Sequence, residues 1–209
     1  MKIYLCTRED NLFNAWKAFC GHHDFVVASK QDIMSIEADV LVSPANSFGF
    51  MTGGVDLHYK NYFGQIVEDN LRRKIGLEFN NELLIGQATS VKLVNLPPLV
   101  KYKYMIAAPT MRVPENVSHT INAYLAAKAA LMEALRIGMD SIVFPGLGTG
   151  TGCMRPEDCA KQVDAAINCV LVAKRIYSPP KDIYEEQDYM IKNIVSQKWF
   201  EVQQMGAYQ

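Results

Sequence analysis

The stretch SPANSFGFMTGGVD, residues 43–56, combines side chains that could contact a sugar with an unusually flexible backbone. Asn46 can donate and accept hydrogen bonds, as the neighbouring hydroxyls of a sugar require. Gly53 and Gly54 let the main chain approach a ligand closely. Asp56 lies where a helix is expected to begin, and because the helix dipole favours negative charge there, we expect its carboxylate to stay ionised. The residues indicate a binding loop, although Asp56 taken alone could be only a helix-start acid.

A second glycine-rich stretch, PGLGTGTGCM, covers residues 145–154 and carries glycine at every second position from 146 to 152. Successive backbone N–H groups in such a loop can turn to one side and bind an anion, typically a phosphate. The spacing matches neither a P-loop nor the dinucleotide-binding fingerprint. Glu157 and Asp158 in the next predicted helix would repel phosphate, so the loop amides are the better cradle. The alternative is a tight crossover with no ligand.

Strand and helix patterns alternate along the chain, which indicates an α/β domain of three layers with a largely parallel sheet. Ligands of such sheets bind beyond the carboxyl ends of the strands, and both glycine-rich stretches follow predicted strands. The sequence predicts strands at residues 2–7, 25–29, 39–45, 82–94, 104–110 and 141–147, and helices at residues 11–20, 55–75, 118–138 and 156–174.

Length and composition limit the classes of protein to consider. A chain of 209 residues suits one packed domain, and a net charge of −1 gives no bulk reason to bind nucleic acid or an anionic membrane. No apolar run is long enough for a signal peptide or a membrane span, so we expect a cytoplasmic protein. Five cysteines at irregular spacings are typical of reduced thiols. The adjacent His22 and His23 do not suit a shared site, so no metal is expected.

Together the motifs resemble the macro domain family, whose members bind ADP-ribose. Residues 31–46 are similar to the family's segment that leads into a strand ending in Asn-Ala-Ala-Asn, and GGVD at residues 53–56 matches the glycine-rich turn after it. Residues 144–154 are similar to the second binding loop, in the Gly-Leu-Gly-Thr-Gly form of some bacterial and phage members. The resemblance implies a three-layer α-β-α macro domain with a mixed, largely parallel sheet at residues 1–176. Residues 177–209 are then an extension, expected to be a helix packed on the domain.

The resemblance also implies roles for individual residues. Asp32, with the Ile33 backbone beside it, would bind adenine, and Asn46 would hold the distal ribose. Asp56 would position or activate water near the anomeric carbon, so Asp56 and Asn46 are the predicted catalytic residues. The residues expected to surround the diphosphate are Gly53, Gly54, Val55, Gly148, Thr149, Gly150 and Thr151, and Gly152 is also expected to bind ADP-ribose.

Several positions depart from the family pattern. Ser43 replaces the first asparagine of the strand end, Gly152 replaces an aromatic residue near the distal ribose, and Lys60 stands near a histidine of some hydrolases. The predicted function is hydrolysis of an ADP-ribosyl adduct, without a cofactor. The adduct could be protein-linked ADP-ribose or a small derivative such as O-acetyl-ADP-ribose. The alternatives are a non-catalytic reader of ADP-ribosylated partners and a binder of a related nucleotide signal. The sequence does not indicate an oligomeric state.

Overall fold

One six-stranded sheet forms the centre of the molecule in the computed structural model, which describes residues 1–93, 101–172 and 180–190. The strands lie in the order β2-β1-β6-β3-β5-β4, and all neighbouring pairs are parallel except the antiparallel pair β4 and β5. The strands are β1 (Lys2–Thr7), β2 (Val26–Lys30), β3 (Val40–Ser43), β4 (Thr89–Lys92), β5 (Tyr104–Ala107) and β6 (Ser141–Phe144). The predicted mixed, largely parallel sheet is confirmed.

Helices cover both faces of this sheet, which gives the predicted three layers. They are α1 (Asp10–Cys20), α2 (Gly54–Phe63), α3 (Gln65–Glu78), α4 (Asn122–Arg136), α5 (Pro156–Ile167) and α6 (Pro180–Met190). Helices α1, α4 and α5 pack on one face, and α2 and α3 pack on the other. None of the helices in the described ranges is both long and apolar enough to cross a membrane.

The central strand β3 shows why the sheet needs two apolar faces. Successive side chains of a strand point to opposite faces. Accordingly, Val40 and Val42 lie in the core shared with α1, α4 and α5, while Leu41 lies in the core shared with α2 and α3. All four residues of β3 are buried, as expected for a strand covered on both sides. This rigid centre fixes the position at which the loop of residues 44–53 begins.

Several predicted elements are shorter in the structure, and two differ most. The helix expected at residues 55–75 is divided into α2 and α3 at Gly64, whose φ of 86° breaks the helical path. The strand expected at residues 82–94 is shorter, because the chain turns at Gly86, with φ 92°, and β4 begins only at Thr89. Both errors have one cause: each glycine lies inside an apolar pattern that continues past it.

The predicted C-terminal extension is described only in part. Helix α6 packs on α5, and Met190 at its end is buried in the core cluster of α1, α4 and α5. The remainder of residues 177–209, apart from α6, lies outside the described residues.

Candidate functional site

A cleft of about 460 Å³ lies at the carboxyl edge of the sheet. Each of the five parallel strands contributes the loop that follows it: residues 7–9 after β1, 31–33 after β2, 44–56 after β3, 110–114 after β5 and 145–152 after β6. The antiparallel strand β4 contributes none of the lining residues. The cleft therefore has the position that open parallel sheets give to their ligands.

The loop after β3 is held in shape by Asn46. Its side-chain Nδ2 donates to the Phe50 carbonyl at 2.8 Å, and its Oδ1 accepts from the amides of Phe48 and Phe50 at 3.1 and 3.3 Å. Both acceptor positions of Oδ1 are thereby used, which leaves one N–H of Asn46 for a ligand. Asn46 also forms a bridge to Met111, so the loop is fastened to the chain after β5.

The same loop ends at the N-terminus of α2, which is open toward a ligand. The capping residue, Gly53, has no side chain, and no side-chain hydrogen bond closes the first turn. Gly54, Val55 and Asp56 form that turn and line the cleft. Because the first amides of a helix have no partner within the helix, this end can bind an anion.

The loop after β6 is compact because it bonds to itself. The amide of Cys153 donates to the Gly150 carbonyl and that of Met154 to the Gly148 carbonyl, both at 2.9 Å. In the described part of the chain, no protein acceptor contacts the amides of Thr149, Gly150 and Thr151. Three consecutive amides in a cleft wall thus remain for a ligand.

The helix after this second loop carries two acids in its first turn, whereas α2 carries one, Asp56. Glu157 and Asp158 lie in the first turn of α5, and Arg155 pairs with Asp158 at 2.7 Å. Their negative charges offset the positive end of the helix dipole and would repel a phosphate, as the sequence predicted. Residues of the second loop line the cleft and those of α5 do not, so the loop amides are the candidate donors.

Asp56 is buried at the base of the cleft. The Ser43 hydroxyl donates to its Oδ1 at 2.5 Å, and no donor among the described residues contacts its Oδ2. Burial raises the pKa of Asp56 to about 7, although the Ser43 hydrogen bond lowers it. The carboxylate is therefore only partly ionised at neutral pH, unlike the ionised acid expected at a helix start, because burial disfavours the charged form.

Asp32 lies on another wall of the cleft and is a charged, partly exposed group. Its Oδ1 accepts from the Met34 amide at 2.9 Å and contacts His58 Nε2 at 3.3 Å, while its Oδ2 pairs with Arg8. Burial raises the pKa of Asp32, but the Met34 amide, His58 and Arg8 outweigh it, so the pKa lies below its ordinary value. Oδ2 keeps one free acceptor position for a ligand donor.

Comparison with known proteins agrees with this fold. The family model of the Macro domain matches residues 42–163. The chain belongs to the Macro domain family. An uncharacterized protein of Aeropyrum pernix is 29% identical over 141 residues, which are 68% of this chain and 69% of the relative.

Solved macrodomains share the architecture at low sequence identity. The macrodomain of Mycobacterium tuberculosis DarG has a TM-score of 0.58 and 20% identity, with 67% of this chain and 88% of that chain covered. A mutant of the Oceanobacillus iheyensis macrodomain with ADPR has a TM-score of 0.59 and 17% identity, covering 77% and 88%. At this identity the likeness shows the fold alone.

The structure brings all the site residues predicted from the sequence of this macro domain to one cleft. They are Asp32, Ile33, Asn46, Gly53, Gly54, Val55, Asp56, Gly148, Thr149, Gly150, Thr151 and Gly152. Lys60, in contrast, lies outside the lining residues and pairs with Glu68 of α3 at 2.6 Å.

Other lining residues were missed at the sequence level. Arg8 follows β1, Thr110 follows β5, and His58 lies one helical turn from the start of α2. The rule that strand ends form the site would have found Arg8 and Thr110 if applied to every parallel strand. Phe50 also lines the cleft, 42% exposed, with the Arg72 guanidinium 4.2 Å from its ring centre.

The metal-ligating side chains of this macro domain converge elsewhere. Across the described ranges, one group of three such side chains has ligand atoms within 4.8 Å of one another: His22, His23 and Asp164. None of the three lines the cleft. The turn after α1 directs the neighbouring rings of His22 and His23 toward one carboxylate, a convergence that the sequence did not indicate, and the absence of a metal stays a prediction.

Proposed function

We propose that this macro domain binds ADP-ribose and hydrolyses an ADP-ribosyl adduct. The observation that carries the proposal is the pair of open amide sources on two walls of one cleft. The first turn of α2 supplies one, and the amides of Thr149, Gly150 and Thr151 supply the other. A diphosphate offers one phosphate group to each of these two amide sources.

In this proposal, adenine and the distal ribose each meet a side chain that can form a hydrogen bond with it. Asp32 accepts a hydrogen bond from the amino group of adenine, and its depressed pKa keeps it an acceptor at neutral pH. The remaining N–H of Asn46 donates to the distal ribose. The exposed ring of Phe50 offers an apolar surface in the first loop, which compensates for the aromatic residue replaced by Gly152.

Asp56 is the proposed general base. A carboxylate with a pKa of about 7 is half ionised at neutral pH, which suits proton transfer. Its Oδ2 accepts a proton from water as the water oxygen attacks the anomeric carbon. The bond between the anomeric carbon and the leaving group breaks at the same time, and the leaving group keeps its electron pair and takes up a proton from solvent. The Ser43 hydroxyl orients the carboxylate through Oδ1.

A non-catalytic reader is the second candidate, and burial favours it. Asp56 is only 9% exposed, and the side chain of Asn46 is largely occupied by its own loop. Both residues could therefore serve to shape the pocket alone. A reader would bind ADP-ribosylated partners through the same cleft and release ADP-ribose unchanged. A binder of a related nucleotide signal would use the same contacts.

Two measurements test the proposal separately. Titration calorimetry should give micromolar affinity for ADP-ribose, on the order of −8 kcal/mol, and weaker binding of AMP. No binding of ADP-ribose at millimolar concentration would refute the site. Turnover should then be assayed with three substrates: a protein that carries ADP-ribose on an acidic residue, O-acetyl-ADP-ribose and ADP-ribose phosphate. Tight binding without turnover of any of the three would favour the reader.

A further inference from the structure

Three side chains with metal-binding chemistry meet at the edge of the sheet opposite the cleft. His22 and His23 lie in the turn between α1 and β2, and Asp164 lies near the end of α5. Because α1 and α5 both begin at the carboxyl edge, their ends reach the other edge of the sheet. The cluster is thus separate from the proposed ADP-ribose site.

The geometry of the cluster is close to that of a metal site. His23 Nε2 lies 2.8 Å and His22 Nε2 3.6 Å from Asp164 Oδ1, and the two ring centres are 3.9 Å apart. Two ligand atoms on a tetrahedral Zn²⁺ ion, each at about 2.0–2.2 Å from it, lie roughly 3.3–3.5 Å apart. Small movements of the side chains would therefore place one ion between all three.

Burial of the cluster differs from ligand to ligand in a way that suits a metal site. The side chains of His23 and Asp164 are 6% and 7% exposed, whereas that of His22 is 57% exposed. The buried pair is held by the fold, and the exposed imidazole leaves a path from solvent for the ion and a water ligand.

Tyr189 supports the carboxylate from the second side. Its hydroxyl donates to Asp164 Oδ2 at 3.3 Å, which leaves Oδ1 for the imidazoles. Carboxylate ligands of metals are commonly held by such outer hydrogen bonds. Since Tyr189 belongs to α6, an ion at the cluster would also strengthen the docking of α6 on α5.

We propose that His22, His23 and Asp164 bind one divalent transition-metal ion. The donor set of two imidazoles and a carboxylate suits ions such as Zn²⁺ and not Mg²⁺ or Ca²⁺, which prefer oxygen. The nearby Cys20 thiol donates to the Ala160 carbonyl and is not among the converging ligand atoms. The ion is structural and joins the α1–β2 turn to α5 and α6.

Zinc titration of the metal-stripped full-length chain tests this site. Calorimetry should show one Zn²⁺ per chain, and the Tm should rise with Zn²⁺ concentration, as binding to the folded state requires. His22→Ala should weaken Zn²⁺ binding at least tenfold without unfolding the protein, because His22 is exposed. His119→Ala, which removes an exposed histidine outside the cluster, should bind like the wild type.

Two further variants sharpen the result. Asp164→Asn should abolish the zinc-dependent rise in Tm, and Tyr189→Phe should reduce affinity about tenfold, as loss of an outer hydrogen bond does. Absence of saturable Zn²⁺ binding by the wild type would overturn the proposal and leave a simple His23–Asp164 hydrogen bond. Equal zinc affinity in the wild type and His22→Ala would overturn it as well.

Discussion

The two glycine-rich loops of the cleft use the same residue type for different physical reasons. In the loop after β6, a Cβ on Gly152 would lie 2.5 Å from the Gly148 carbonyl oxygen, and Gly148 itself has φ +71°. The folded loop therefore requires both glycines. At the start of α2, Gly53 has an extended backbone and open space around its missing Cβ. Nothing in the described fold requires glycine there.

Gly150, like Gly53 and unlike Gly148 and Gly152, is a glycine that the fold does not require. It has no positive φ, and nothing lies within 4 Å of the position that its Cβ would take. One glycine on each wall of the cleft is thus unexplained by the fold and explained by close approach of a ligand. The density of glycine alone therefore does not indicate a binding site. A glycine that neither its φ angle nor a close contact in the fold requires is the better indicator.

The largest effect is expected when Gly150, which the fold does not require to be glycine, is replaced. Gly150→Val should abolish measurable ADP-ribose binding, because its side chain would fill the space beside the free amides of the loop. Its Tm should stay within about 2 °C of the wild type, since a Cβ at this position has no protein atom within 4 Å. Calorimetry and thermal unfolding of the same preparation give both values.

Gly148→Ala is the matched variant for this comparison. A non-glycine residue at φ +71° is strained, and its Cβ would press on Val117 at 3.1 Å, so the free energy of unfolding should fall by about 1–3 kcal/mol. If Gly150→Val unfolds like Gly148→Ala, or binds ADP-ribose like the wild type, the proposed division of the glycines is incorrect.

The next effect concerns chemistry at the base of the first loop. Asp56→Asn keeps the shape of the side chain and its acceptor for Ser43 but removes the base. We expect turnover of an ADP-ribosyl adduct to fall at least about 10²-fold, while affinity for ADP-ribose stays within tenfold, or about 1.4 kcal/mol. Single-turnover assays and calorimetry separate the two quantities.

The pH profile supplies the control for this variant. Because the base acts when ionised, turnover by the wild type should rise with pH through about 7. Ser43→Ala removes the hydrogen bond that lowers the pKa of Asp56, so the rise should move to higher pH. A profile that is flat from pH 5 to 9, or unmoved in Ser43→Ala, would count against Asp56 as the base.

The raised pKa of Asp56 also predicts how the free energy of unfolding depends on pH. The pKa of Asp56 is raised in the folded state to about 7, above the ordinary value of about 3.9 in the unfolded chain. Between these values the folded state binds the proton more tightly, so its contribution to stability falls as pH rises from about 4 to 7. Asp56→Asn should remove this dependence and raise the free energy of unfolding at pH 8 by an amount on the order of 2–4 kcal/mol.

Urea unfolding of both proteins at pH 5 and pH 8 measures this difference. The wild type also contains other titrating groups, so the informative quantity is the change between the two variants across the pH range. An Asp56→Asn protein that is less stable than the wild type at pH 8 would show that the carboxylate is a structural partner of Ser43, as the reader hypothesis implies.

The fold and the binding loops could be predicted because their signals are local. The continuous apolar run before Ser43 predicts a strand covered on both faces, and the glycines after it predict a turn. The pairing of Asp32 with Arg8 could not be predicted, because the two residues are 24 positions apart and meet only through the parallel register of β1 and β2.

The protonation of Asp56 illustrates the same limit. Its position at a helix start is visible in the sequence and suggests an ionised group. Its burial depends on Tyr59, on the Ser43 side chain and on the sheet beneath, which together remove water from the carboxylate. The convergence of His22 and His23 on Asp164 is likewise a product of tertiary packing, 141 residues apart for His23.

The smallest effect is expected at Asp32. Asp32→Ala should weaken ADP-ribose binding by about 1–3 kcal/mol, the range for loss of a partner from a hydrogen bond to a charged group. The inosine analogue of ADP-ribose, which lacks the amino group of adenine, should already bind the wild type more weakly. In Asp32→Ala the two ligands should bind almost equally, because the group that distinguishes them is gone. Arg8→Ala serves as the control, since it removes the ion pair and keeps the acceptor. If Asp32→Ala still prefers the adenine ligand by the wild-type margin, Asp32 only anchors Arg8, and adenine is recognised elsewhere in the cleft.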